Sequence, residues 1–105
     1  MKYLKVSELK ITESDIQKTI KDYLKWQGFK VIKIQQGALS EKGIPDLWAI
    51  GMKNCETIQL WIEVKTSSGK ISPYQEDFKA EVERLGGDVL IARDLNDVIS
   101  WLKDR

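Results

Sequence analysis

Gly43-Ile44-Pro45-Asp46-Leu47-Trp48 and Trp61-Ile62-Glu63-Val64-Lys65 bound the stretch that decides the fold. Each is an apolar run carrying charge at a defined place. Successive side chains of a strand point to opposite faces. Ile58, Leu60, Ile62 and Val64 therefore share one face, and Gln59, Trp61, Glu63 and Lys65 share the other. Between the runs, Gly51-Met52-Lys53-Asn54-Cys55-Glu56 has the composition of a turn. An antiparallel hairpin of Leu47–Ile50 with Ile58–Lys65 sets Asp46 opposite Glu63. Opposed residues have Cβ atoms about 4.5–5.5 Å apart. Two carboxylates that close repel, and a divalent cation relieves the repulsion. The same residues also read as a solvated strand with a Glu–Lys pair and a turn-capping Asp.

Composition narrows the chemistry. At 105 residues the chain is expected to form a single domain over 1–105, with 42% hydrophobic and 31% charged residues. No apolar run is long enough to span a bilayer, and Met1-Lys2-Tyr3-Leu4-Lys5 lacks the apolar core of a signal peptide, so the cytoplasm is the expected location. Cys55 is the only cysteine, which excludes an intrachain disulfide and a thiolate cluster. There is no histidine, which excludes Ser-His-Asp and Cys-His catalysis and His-ligated zinc. Any metal must be a hard cation on oxygen: magnesium, manganese or calcium. A net charge of +1 neither favours nor opposes a nucleic-acid partner.

Read outward, the chain alternates helices with strands. Met1–Ile11 reads as an arm or short strand. Thr12-Glu13-Ser14-Asp15 matches a capping box, Ile16, Ile20, Tyr23 and Leu24 follow at helical spacing, and Gly28 ends the helix. Glu13 there also suits the helix dipole. Phe29–Gln36 reads as a strand, and Gly37–Gly43, with Ser40, Glu41 and Lys42, as a polar loop. After the polar loop Thr66–Lys70, Ser72-Pro73-Tyr74-Gln75 is a helix start with Ser at the N-cap, Pro next and Gln at the capping-box position. Tyr74, Phe78, Val82 and Leu85 form its apolar stripe, and Gly86-Gly87 ends it. Val89–Ala92 is a short buried strand, and Asp94 caps a last helix with the stripe Leu95, Val98, Ile99 and Leu102. The order is α-β-β-β-α-β-α: an α/β fold with a mixed sheet and packed helices. Its β-α-β unit is expected to cross over right-handed.

This order and these motifs resemble the VRR-NUC family of the PD-(D/E)xK nuclease superfamily, in its small stand-alone form. The resemblance runs from Thr12 to Leu102. It rests on Glu13 with Gln17, Gly43-Ile44-Pro45-Asp46-Leu47, Ile62-Glu63-Val64-Lys65, Gly69-Lys70 with Ser72-Pro73-x-Gln75, and Gly86-Gly87 before a strand. It implies a restriction-endonuclease-like mixed sheet. It implies Asp46 and Glu63 as the main metal-binding carboxylates, the Val64 carbonyl as a further ligand, and Glu13 as an outer acid reaching the metal directly or through water. Lys65 would orient or activate the attacking water, and Gln75 would be an additional active-site polar residue.

The activity so implied is a Mg²⁺- or Mn²⁺-dependent DNA endonuclease acting as a homodimer on branched DNA, with four-way (Holliday) junctions preferred. Flaps, nicks or plain duplex are alternative substrates, and a nucleic-acid-binding module without turnover is the alternative class. Lys30, Lys33, Lys42 and Lys70 are candidate phosphate contacts, although scattered lysines usually only solvate a surface. Trp26, Trp48, Trp61 and Trp101 are many rings for so small a core, and some are candidates for a dimer surface.

Overall fold

The computed structural model describes residues 10–35, 37 and 41–105. Most of the expected arm over Met1–Ile11, together with Gln36 and Ser40, lies outside the described residues. The elements are α1 (Glu13–Trp26), β1 (Lys30–Lys33), β2 (Leu47–Lys53), β3 (Glu56–Val64), α2 (Pro73–Arg84), β4 (Val89–Ala92) and α3 (Leu95–Lys103). This is the α-β-β-β-α-β-α order that the sequence predicts.

The four strands form one mixed sheet in the order β1-β2-β3-β4. β1 pairs with β2 and β2 with β3 antiparallel, while β3 and β4 are parallel. The parallel pair needs a crossover, and α2 supplies it. The hairpin differs from its sequence reading. β2 runs through Gly51, Met52 and Lys53, and the turn is only Asn54-Cys55, with φ of 54° and 64°. Two left-handed central residues are what a tight type I′ hairpin turn requires. Gly51 belongs to the strand because the Phe29 ring lies against it: a Cβ there would stand 2.6 Å from the ring carbons. β1 is also shorter than the predicted Phe29–Gln36, although Ile34 N–H still donates to the Asp46 carbonyl at 2.8 Å.

Register fixes the two faces of the sheet. Val31, Ala49 and Leu60 align across the first three strands, as do Lys33, Leu47 and Ile62. With Ile58, Val64 and Ala92 they make the inner face. Ile16, Ile20 and Leu24 of α1 and Val98 and Leu102 of α3 join this face in one buried cluster. Both helices start as predicted. In α1, Thr12 and Asp15 complete a reciprocal capping box, and in α3 the Asp94 side chain accepts from Asp97 N–H.

The other face carries Trp48, Trp61 and Glu63, and α2 lies over part of it. Trp61 packs edge-on against Phe78 at 5.4 Å and tilted against Trp48 at 6.5 Å. The predicted α2 stripe is only half realised. Phe78 and Val82 are half-buried, but Tyr74 is 54% exposed and Leu85 70% exposed. Tyr74 meets the Lys42 ammonium on its ring rather than the sheet. Among the tryptophans, Trp26 is 87% exposed, whereas the other three are partly buried.

Candidate active site

The site lies where β2 begins and β3 ends. Pro45 is fully buried and fixes the chain just ahead of Asp46. Gly43, at φ +85°, lets the preceding loop press on the start of α2: a Cβ there would collide with the Tyr74 carbonyl. The pairing of Leu47 with Ile62 puts Asp46 across from Glu63, as the hairpin reading requires. Asp46 Oδ2 accepts the Val64 N–H at 2.8 Å, so one carboxylate oxygen is spent on holding the end of β3.

Glu63 is the unusual residue. Among the described residues it is the one buried charged side chain, at 4% exposure, and Gln75 Nε2 donates to its Oε1 at 3.0 Å. Its Oε2 is buried without a hydrogen-bond partner. Burial first, and then the charge of the adjacent Asp46 carboxylate, push the Glu63 carboxyl up to about 8; Lys65 pulls the other way, and Glu13 adds a smaller push upward. A buried carboxylate oxygen without a donor is costly, and two remedies exist: a proton shared with Asp46 or a cation.

Lys65 follows β3 and stays in register, its N–H donating to the Ala92 carbonyl at 3.0 Å. It is half-buried, on the same side as Glu63. Its stem runs along the turn after the strand; a Cβ on Gly69 would stand 3.4 Å from Lys65 Cβ and Cδ. Arg93 fastens that turn, with Nη1 donating to the carbonyls of Thr66 at 2.6 Å and Gly69 at 2.7 Å. Sequence reading passed over Arg93, a lone basic residue between a strand and a helix cap, because its partners are 27 and 24 residues away.

Gln75 does two jobs at once. Its Oε1 accepts the Ser72 N–H at 2.9 Å, closing the capping box, while its Nε2 reaches Glu63. The amide ties the start of α2 to the carboxylate. Gln75→Ala is expected to cost about 1–2 kcal/mol of stability from the cap and to leave Glu63 Oε1 without its donor as well. Comparing it with Ser72→Ala, which breaks the cap alone, in thermal melts and in activity separates the two roles. Equal activity in the two variants would reduce Gln75 to a capping residue.

The residues suit a hard divalent cation. The orphaned Glu63 Oε2, the adjacent Asp46 carboxylate and the all-oxygen donors are what such an ion takes. Glu13, in the first turn of α1, contributes charge at Glu63, but among the described residues no three Asp, Glu, His or Cys side chains gather into a metal-holding group. Asp46, Glu63 and Gln75 are thus brought together with Lys65 beside them, and Glu13 stands outside the pair. The candidate lysines are scattered. Lys30 and Lys33 fall on opposite faces of the sheet, Lys42 lies over the Tyr74 ring at 4.8 Å, and Lys70 is exposed after the Arg93-held turn.

The fold has solved counterparts. A structure described as a VRR_NUC domain superposes with a TM-score of 0.72 at 23% identity, over 89% of this chain and 97% of that one. A second, described as a VRR_NUC domain protein, gives 0.71 at 21% identity, over 91% and 88%. The chain has the VRR-NUC fold. No family model matches the sequence, and no curated protein matches it. The VRR-NUC likeness is therefore one of backbone architecture. No helix among the described residues is long and apolar enough to cross a membrane.

Proposed function

We propose that this protein is a divalent-metal-dependent nuclease that hydrolyses phosphodiester bonds in DNA, with Mg²⁺ or Mn²⁺ as its cofactor. The reading rests on the Asp46–Glu63 pair, whose second carboxylate keeps a buried oxygen without a donor. The VRR-NUC fold supports it. Asp46 and Glu63 would hold the cation, with the Val64 carbonyl as a further ligand and Glu13 as an outer acid. When bound, such a cation neutralises phosphoryl oxygens and makes water more acidic. Gln75 fixes Glu63 by its Oε1, which leaves Oε2 for the ion. Lys65 places a fixed positive charge beside them, where negative charge grows as the phosphate is attacked. Lys42, over the Tyr74 ring, and the exposed Lys70 would contact phosphates. Cleavage of labelled DNA is expected with Mg²⁺ or Mn²⁺, binding without cleavage with Ca²⁺, and no cleavage in EDTA. Full activity in EDTA would remove the metal-site reading.

We further propose branched DNA, four-way junctions above all, as the substrate and a homodimer as the active form. One site of this kind cuts one strand, and opposed cuts in a junction call for two sites related by a two-fold axis. Trp26, largely exposed at the end of α1, is a ring available to such an interface. Sedimentation at micromolar concentration is expected to give a dimer. A strict monomer that only nicks junctions would leave a simpler nicking nuclease acting on flaps, nicks or duplex.

A further inference from the structure

We propose that the concave surface between α1 and β1 is a second DNA-contact surface, a track for backbone phosphates lying beyond the point of cleavage. The inference rests on the nuclease reading above and adds residues to it that lie outside the Asp46–Glu63 site.

Lys18, Lys21, Asp22 and Lys25 occur at i, i+3, i+4 and i+7 along α1, so they form one stripe about 10 Å long. Lys33 of β1 falls on the sheet face that α1 covers, and it meets that stripe from the side. Together with Gln17 they line a concavity of about 330 Å³. Four lysines line it against one aspartate, in a chain whose net charge is only +1. Four of the seventeen basic residues therefore sit around this one concavity with a single acid among them.

The internal carboxylate does not neutralise the surface. Asp22 pairs with Lys18 at 2.8 Å. The Asp22 carboxyl is held below its ordinary value first by that hydrogen bond and also by the charges of Lys18, Lys25 and Lys21. Among the described residues, Lys21, Lys25 and Lys33 have no carboxylate within ion-pair distance. Such unpaired cations around a concave surface suit a polyanion, whose binding releases counterions. The location suits a substrate of the candidate site: Gln17 lies one turn along α1 from Glu13, whose charge reaches Glu63. Lys33 pairs with Leu47, the residue after Asp46, so a backbone leaving that site past the start of α1 would meet Lys33 and Lys18 first, then Lys21 and Lys25.

The test is the salt dependence of DNA binding in Ca²⁺, measured by fluorescence anisotropy on a labelled four-way junction and on a linear duplex. Wild type is compared with the triple variant Lys21→Ala, Lys25→Ala, Lys33→Ala and with Lys103→Ala as an exposed control. Alanine suits the two helix positions, and melting curves verify the fold. Each lost phosphate contact should lower the slope of log K against log salt by about 0.9, so the triple variant is expected to lose about two to three and to bind at least about ten-fold more weakly at 0.1 M salt. The control should keep the wild-type slope. A triple variant with the wild-type slope overturns this surface while wild-type binding leaves the nuclease reading standing. Wild-type protein that neither binds nor cleaves either DNA overturns both.

Discussion

Glu63→Gln is expected to make the metal-free protein more stable at alkaline pH while abolishing cleavage. The Glu63 carboxyl is pushed from an ordinary 4.5 to about 8 in the folded chain. Between those values the folded state holds a proton that the unfolded state has released. Stability contributed by that proton is complete below the unfolded value and is lost as pH rises through the folded one. The wild type should therefore weaken steadily from about pH 5 to about pH 8 and level off above that. A glutamine carries no charge to bury. Its carbonyl can still accept from Gln75 Nε2, and its amide N–H can donate to Asp46. The gain at pH 8 should be a few kcal/mol, or on the order of 10 °C in Tm for a chain of this size. At pH 5 it should nearly vanish. Thermal melts of both proteins across this pH range decide it, and parallel curves would mean that Glu63 is not the strained group. Added Mg²⁺ should raise the Tm of the wild type and leave the variant unmoved.

The second large effect is expected at Lys65. Lys65→Ala should lower cleavage by on the order of 10²–10³-fold, the usual loss when one preorganised positive or hydrogen-bonding group is removed from a transition state. The fold should survive. The backbone of residue 65 would still donate to Ala92, and Arg93 would still hold the turn through Thr66 and Gly69. DNA binding in Ca²⁺ should change far less than the rate, because one lysine among several contributes a single phosphate contact at most. Removing Lys65 also removes the one charge that draws the Glu63 carboxyl downward, so the pH profile of stability should move further up. Near wild-type cleavage by a folded Lys65→Ala protein would make Lys65 a surface charge only.

Much of the architecture was readable because it is written locally. The capping box at Thr12 and Asp15, the Ser72-Pro73-x-Gln75 start and the Asp94 cap each satisfy exposed backbone groups within three residues. Strand alternation put Ile58, Leu60, Ile62 and Val64 on one face, and they are buried together. The errors came from contacts distant in sequence. Gly51 looked like a turn residue but makes room for Phe29, so the turn moved to Asn54-Cys55. Tyr74 and Leu85 have core-like spacing, yet both are exposed, and spacing along one helix does not say what packs against it. The burial of Glu63 was not legible, since alternation marks its face as polar and only α2, with Phe78 and Gln75, covers it. Arg93 had no local signature at all.

The two-ended use of Gln75 couples events that look separate. One amide starts α2 and restrains Glu63, so whatever changes the state of Glu63 also changes the stability of the first turn of α2. Free-energy coupling of this kind is reciprocal. A ligand that settles Glu63 in its present position tightens the helix start, and a helix start that frays lowers affinity for that ligand by the same factor. α2 contributes no fully buried residue of its own, so it belongs to the part of the molecule that opens most readily. Amide-exchange protection along α2 would therefore report on occupancy at the far end of β3, making this thinly anchored helix a built-in indicator of whether the carboxylate pair is filled.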